Sequence, residues 1–184
     1  MQDWDKRYLS GEGVQPRRPG VLLTELLPQL SKGRALDIAC GEGRNAIFLA
    51  KNGYDVDAVD YSHVAIERGS KVAEKDGLTV NFIHADLEGY LIPPDNYDLI
   101  IDFYYLQRSL VPAIKDGLRK GGVVLFETYT VEQKKIGPPR NPEYLLQPNE
   151  LLKMFGDFHL FFYREGVFEE EERKAIASLA GRKL

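Results

Sequence analysis

Through the first two-thirds of the chain, short apolar runs of strand length alternate with stretches whose apolar residues recur at helical spacing. Val21, Leu22, Leu23, Leu26, Leu27 and Leu30 follow a helical period. Residues 34–39 then read as a buried strand. Residues 46–50 open a helix that Gly53 ends as a left-handed C-terminal residue. A second strand covers 56–59, and Ser62 caps a helix toward Asp76, with Gly77 just past its end. Strands at 79–85 and 97–103 follow, then a helix over 110–118 that admits Pro112 only in its first turn. Lys120, Gly121 and Gly122 read as a turn before a fifth strand at 123–128.

Strands that alternate with helices imply right-handed crossovers, and so a parallel sheet with helices on both faces. The last third breaks this pattern. A helix near 149–155 leads to a strand at 158–163, the acidic run 169–172 and a closing strand from 173 to 180. Two strands joined by a short acidic loop predict an antiparallel hairpin at the sheet edge. The expected class is therefore α/β: a seven-stranded, mostly parallel sheet with an antiparallel C-terminal edge hairpin. The least regular segments are 1–19, read as an N-terminal arm, and 134–148.

At 184 residues, 43% of them hydrophobic, the chain is long enough to bury a core of its own, and a single domain over 1–184 is expected. A lone cysteine, Cys40, excludes an internal disulfide and a cysteine-rich zinc module, and no metal site is expected. The formal net charge of -4 argues against a dedicated nucleic-acid surface. Residues 1–10 lack a basic-then-apolar signal pattern, and no apolar run approaches the ~20 residues needed to span a bilayer. The expectation is a cytoplasmic protein with neither a membrane nor a nucleic-acid partner.

The stretch from Leu36 through Asp37, Ile38, Ala39, Cys40, Gly41, Glu42, Gly43, Arg44 and Asn45 to Ala46 carries the chemistry. It is a strand running into a glycine turn and out into a helix. Glycine there lets a ligand approach the main chain with no Cβ in the way. Asp60 follows nineteen residues after Gly41, at the tip of the second strand, where a carboxylate can accept from both hydroxyls of a ribose.

Three readings stand open. Gly41, Gly43 and Asp60 can form no more than a strand–helix turn and its cap. The run from Gly41 to Ala46 also fits the dinucleotide fingerprint, but Asp37 sits four residues ahead of Gly41, beside the place a pyrophosphate would take. The third ligand has an amino acid at one end and a nucleoside at the other. Asp37 then suits its ammonium, the exposed backbone N–H groups its carboxylate, and Asp60 its sugar.

S-adenosylmethionine has that layout, and the residues resemble a known family. Leu36, Asp37, Ala39, Cys40, Gly41, Gly43, Arg44 and Asn45, with Val59 and Asp60, resemble the first two motifs of class I S-adenosylmethionine-dependent methyltransferases. Trp4, Asp5, Arg7 and Tyr8, then 41–45, then Asp60, Tyr61 and Ser62 resemble the branch that holds the tellurite-resistance and thiopurine-type methyltransferases. The likeness runs over essentially the whole chain, although Ala39 stands where many members have glycine. It implies a Rossmann-like fold, S-adenosyl-L-methionine as methyl donor and S-adenosyl-L-homocysteine as product. It further implies that Ala85, Asp86 and Leu87 border the adenine, with Asp86 accepting from the amino group. Asp102 and Phe103 would border the methionine portion. Residues 1–19 would close over the cofactor, with Arg7 or Tyr8 near the carboxylate and Trp4 excluding water. A loose terminal arm is the plainer alternative.

Methyl transfer needs alignment and exclusion of water more than covalent help, so no obligatory catalytic cluster is expected. His63, His84 and His159 are scattered, and Cys40 reads as a small filler of the turn. Ligands of open α/β sheets lie outside the carboxyl ends of the strands. That rule makes Tyr104, Tyr105, Arg108, Glu127 and Tyr129 the acceptor-pocket candidates, with Thr128 and Arg140 beside them. Residues 134–148 are either a lid or a passive connection. The leading expectation is methyl transfer to a small-molecule acceptor by in-line displacement. A non-catalytic module that binds the same cofactor, and a nicotinamide-dependent oxidoreductase, are the alternatives.

Overall fold

A computed structural model of the chain describes residues 4–11, 18–169 and 172–184. Part of the expected arm over 1–19, and the middle of the acidic turn 169–172, lie outside the described residues. The chain divides into two compact units, Met1–Leu91 and Ile92–Leu184. Across the chain the strand order is β3-β2-β1-β4-β5-β7-β6, a seven-stranded mixed sheet. The sheet is parallel except for its C-terminal strands, and it is flanked by helices, as the alternating pattern predicts.

The first unit contains α1 (Trp4–Ser10), α2 (Val21–Leu26), β1 (Arg34–Ile38), α3 (Arg44–Lys51), β2 (Asp55–Asp60), α4 (His63–Lys75) and β3 (Asn81–His84). Strand β2 pairs in parallel with β1 on one side and β3 on the other, with Ile38 beside Val59 and Asp60 beside His84. The carboxyl ends of the three strands therefore lie level. Their near-continuous burial, with Ala35, Leu36, Ile38, Ala58 and Val59 at 0% exposure, fits parallel strands covered by helices. α4 starts as expected, with the Ser62 Oγ accepting from the Ala65 N–H at 3.2 Å.

The second unit contains β4 (Tyr97–Phe103), α5 (Val111–Gly117), β5 (Leu118–Tyr129), α6 (Glu150–Met154), β6 (His159–Glu169) and β7 (Arg173–Arg182), with short 3-10 turns between them. β4 and β5 are parallel, while β7 runs antiparallel to both β5 and β6. On one face of β5, Phe126 packs against Phe155, and Phe155 against Phe158, with ring centroids 5.9 and 5.6 Å apart. The Lys115 ammonium lies 5.6 and 5.8 Å from the centroids of the latter two rings and pairs with Asp157.

Three boundaries differ from the sequence reading. Residues 4–10, which carry no helical period, form α1, because its stabilising contacts are polar ones to α4 and to the glycine turn. The expected turn at 120–122 lies inside β5. Gly121 takes a φ of 82°, and its N–H bonds to the Lys183 carbonyl while the Lys183 N–H bonds to the Gly122 carbonyl. A glycine in this conformation bends the strand without ending its ladder. The closing strands β6 and β7 are longer than expected, because their antiparallel pairing runs on from His159 beside Arg182 to Glu169 beside Arg173.

Candidate functional site

In the first unit the turn between β1 and α3 winds through three left-handed residues, Ala39, Gly41 and Gly43, with φ of 51°, 56° and 75°. Gly43 serves as the N-cap of α3. A Cβ on Gly43 would meet the Phe82 ring at 2.6 Å, and one on Gly41 would meet the Tyr8 hydroxyl at 2.5 Å. Both positions need glycine for their backbone angle and for the space above it.

Asp60, at the tip of β2, holds this turn in place. Its Oδ2 accepts from the Gly41 N–H at 2.7 Å and its Oδ1 from the Ser62 N–H at 2.8 Å. Burial pushes its carboxyl above the usual range, and these two backbone donors oppose the shift. The Ala85 N–H bonds to the Asp60 carbonyl, which ties the end of β3 to the same corner. Just beyond, Leu87 is buried. Exposed Asp86 closes a turn by accepting from the Glu88 N–H at 3.0 Å.

Asp37 is 1% exposed, and its Oδ2 accepts from the Ala46 N–H at 3.0 Å in the first turn of α3. Burial pushes its carboxyl up to about 7, with the Arg44 charge and the Ala46 N–H pulling the other way. Its visible task is thus to satisfy a helix N-terminus from within. Asn45 is likewise committed, its Oδ1 accepting from the Gly20 N–H at the start of α2. Cys40 is buried, and desolvation together with the Asp37 and Asp60 charges raises its thiol, so it stays protonated. Arg44 donates to the Arg18 carbonyl at 3.3 Å.

The N-terminal helix closes this corner. Asp5 accepts from the Ser62 hydroxyl at 2.6 Å and from the Val64 N–H at 3.2 Å, capping α4 from outside. The hydroxyl and backbone bonds hold its carboxyl below the usual range. Arg68 donates to the Tyr8 carbonyl at 2.9 Å and pairs with Glu42 at 3.1 Å. Tyr8 therefore stands over Gly41, and burial with the Asp60 charge drives its phenol well above the usual range. Trp4 is 41% exposed, with the Arg7 guanidinium 4.5 Å over its ring. Tyr61 is exposed at the strand tip, its carbonyl 2.9 Å from the His84 Nε2.

In the second unit, β4 ends in buried Asp102 and Phe103. Tyr104 then takes a φ of 63°, which a bulky side chain rarely adopts, while its N–H bonds to the Glu127 carbonyl at 2.7 Å. Its hydroxyl donates to the Glu127 Oε1 at 2.8 Å. The Glu127 side chain is 3% exposed, and its other oxygen accepts from the Ser178 hydroxyl at 2.7 Å and pairs with Arg164 at 3.4 Å. Register explains the convergence, since Glu127 pairs with Ser178 across β5 and β7, and Ser178 with Arg164 across β7 and β6. Tyr129 lies 5.2 Å from the Tyr104 ring, and the Lys174 ammonium 5.3 Å from it.

Tyr105 and Arg108 fall differently. The Tyr105 hydroxyl donates to the Gln107 side chain at 2.6 Å. Arg108 grips both Glu150 oxygens through Nε and Nη2 at 2.6 and 2.9 Å, while Nη1 donates to the Glu143 carbonyl and Nη2 also to that of Leu145. It pins the segment that precedes α6. That segment is anchored further by buried Leu145 and Leu146 and by the Gln133 amide, which donates to the Pro138 carbonyl at 2.9 Å. Asp5 was named in the sequence reading with no role of its own, and Arg68, Arg164, Lys174 and Ser178 escaped it. The only signal for the last three was their alternation on the closing strands, which names a face but not its neighbours.

Residues 35–122 match the family model described as a methyltransferase domain. The chain is 29% identical over 147 residues to the "Probable S-adenosyl-L-methionine-dependent methyltransferase TehB" of Haemophilus influenzae, covering 76% of this chain and 51% of that protein. It is 36% identical over 118 residues to the tRNA 5-carboxymethoxyuridine methyltransferase of Escherichia coli, covering 59% of this chain and 44% of that one. The crystal structure of TehB from Haemophilus influenzae superposes with a TM-score of 0.81 at 23% identity, covering 98% of this chain and 67% of that chain. The chain thus spans about half the length of these curated relatives. Over residues 35–122 and in its strand order the chain is similar to S-adenosylmethionine-dependent methyltransferases such as TehB.

Proposed function

We propose that the chain binds S-adenosylmethionine and passes its methyl group to a small-molecule acceptor. The observation that carries this reading is the Asp60 carboxylate, tied by Gly41 to a turn whose bare Cα faces a tyrosine hydroxyl. The residues present fit such a ligand. Each Asp60 oxygen accepts one backbone N–H and keeps a lone pair for a ribose hydroxyl. The left-handed path through Ala39, Gly41 and Gly43 supplies the cradle, and Tyr8 stands over Gly41. Asp86 and Leu87, following β3, would receive the adenine.

A pyrophosphate fits worse. The N-terminus of α3, where a dinucleotide would place its phosphates, already holds the Asp37 carboxylate against the Ala46 N–H. The same contact turns Asp37 inward, so Tyr8, the Asp60 corner and backbone carbonyls are better placed than Asp37 to receive an ammonium.

When bound, the cofactor supplies an electrophilic methyl group on a sulfonium. The chain's part is to hold, orient and dry the reactants. Asp60 and the glycine turn fix the donor and α1 shields it, and within the second unit Tyr104 and Tyr129 are the acceptor candidates after β4 and at the end of β5. Aromatic faces there favour a cation by about 0.5–2 kcal/mol when partly desolvated. Calorimetry with S-adenosylmethionine, S-adenosylhomocysteine and NAD tests the binding half. Tight uptake of the first two and none of NAD is expected, and the reverse order would overturn the proposal. A screen of thiol, phenol, amine and carboxylate acceptors with labelled donor tests the transfer half, read as release of S-adenosylhomocysteine. Donor binding with no transfer to any acceptor would instead point to a cofactor-sensing module.

A further inference from the structure

We propose, resting on the S-adenosylmethionine reading, that Phe82 and Gly69 are positioning residues for the amino-acid end of the donor, because together they hold the glycine turn in its binding shape before the donor arrives. Both lie in the first unit with the turn itself.

Phe82, on β3, pairs with Ala58 on β2 and is half-buried. Two carbons of its ring edge, Cε1 and Cζ, each lie 2.6 Å from the point where a Cβ on Gly43 would stand. The same two carbons lie 2.7 and 2.9 Å from the corresponding point on Gly69. One ring edge thus fills a slot walled by glycine on both sides, and a side chain on either wall would expel the ring or move the wall. Gly69 also brings α4 against the backbone of the turn, since a Cβ there would meet the Glu42 carbonyl at 2.8 Å. The residue before it, Arg68, pairs with the Glu42 carboxylate at 3.1 Å. Glu42 and Gly43 are seated in this way on two consecutive residues of α4 and on one ring.

The slot accounts for a glycine that helix propensity disfavours. Gly69 is buried in the middle of the 13-residue α4, where alanine would be the better helix former. At the other wall, Gly43 takes a φ of 75° and is the N-cap of α3, with no side chain of its own to fasten it. Its N–H closes the turn on the Cys40 carbonyl at 2.9 Å, and the Phe82 ring lies against its bare face. A left-handed path persists where surrounding contacts over-determine it. A site shaped before binding also spares the ligand the cost of ordering it. In the S-adenosylmethionine reading the amino acid of the donor lies along this turn, while its sugar lies on Asp60. Phe82 therefore acts on one end of the donor and not on the other.

Two ligands separate those ends. S-adenosylhomocysteine carries both, and 5′-methylthioadenosine keeps the nucleoside without the amino acid. By calorimetry, Phe82→Leu should weaken S-adenosylhomocysteine by about tenfold, the scale of one backbone hydrogen bond. Affinity for 5′-methylthioadenosine should stay within about twofold of wild type. Gly69→Ala closes the slot from the helix side and should reproduce both results, with α4 intact by circular dichroism. It decides the question alone if the leucine variant does not fold. In the donor-free chain labelled with nitrogen-15, hydrogen exchange at the Gly43 amide should quicken by about tenfold in either variant, while the β2 amides keep their wild-type rates. Equal losses on the two ligands, no loss on S-adenosylhomocysteine, or a Gly43 amide that exchanges at the wild-type rate overturns the positioning role and leaves the S-adenosylmethionine reading standing. A wild-type chain that takes up neither ligand sinks both.

Discussion

Asp60 and Asp37 show how two carboxylates in one corner take different tasks. Asp60 keeps lone pairs at the strand tip, while Asp37 is sealed beneath the first turn of α3. Asp60→Ala should weaken S-adenosylmethionine binding by about 1–3 kcal/mol, the scale of charge-assisted hydrogen bonds. Calorimetry that finds unchanged affinity in a folded variant would remove the sugar-binding role. Asp37 leads to a pH prediction. Its folded carboxyl sits near 7 against an ordinary 3.8, so the folded chain holds the proton more tightly than the unfolded chain. Stability from this group is therefore full below about 4 and falls as pH rises toward 7, by up to roughly 4 kcal/mol. Asp60 shifts in the same direction, so Asp37→Asn should flatten the fall only in part. Urea midpoints measured between about pH 4 and 7 check the sign, and a steeper fall in the variant would refute it.

At the scale of elements, polar staples do what apolar period does not announce. α1 is held by Asp5 on the start of α4 and by Arg68 on its own last turn. The segment before α6 is held by Arg108, whose bidentate grip on Glu150 raises the guanidinium and lowers the carboxyl from their usual values. This pinning favours the passive connection over a lid for 134–148. Because the pair is partly exposed, Arg108→Ala should cost only about 1 kcal/mol. It should also expose the 141–150 backbone to protease at a rate that wild type does not show. Unchanged cleavage would mean that Leu145 and Leu146 hold the segment by burial alone.

For the whole molecule, ligand linkage should be visible in global stability. S-adenosylmethionine at a hundredfold excess over its dissociation constant should stabilise the chain by about 2.7 kcal/mol, read as a rise in Tm. Gly41→Val should abolish that rise. A side chain there is strained by the φ of 56° and meets the Tyr8 hydroxyl before any ligand arrives. Among the described residues no helix is long and apolar enough to cross a membrane.

Much of this was legible in the chain itself. Alternating apolar periods determined the order of strands and helices, because a buried parallel strand must be apolar on both faces and a covering helix on one. Gly41, Gly43 and Asp60 marked the turn after β1 and the acid that holds it, because glycine relieves the left-handed backbone there and the spacing to the acid is set by one helix and one strand. Only the tertiary structure decided that Asp37 faces α3, that Arg108 staples a loop, and that Glu127 meets Tyr104, Ser178 and Arg164. The Glu127 contacts depend on register between strands distant in sequence, where a one-residue slip would turn the side chain to the opposite face, and the other two depend on how a turn and a loop fold back.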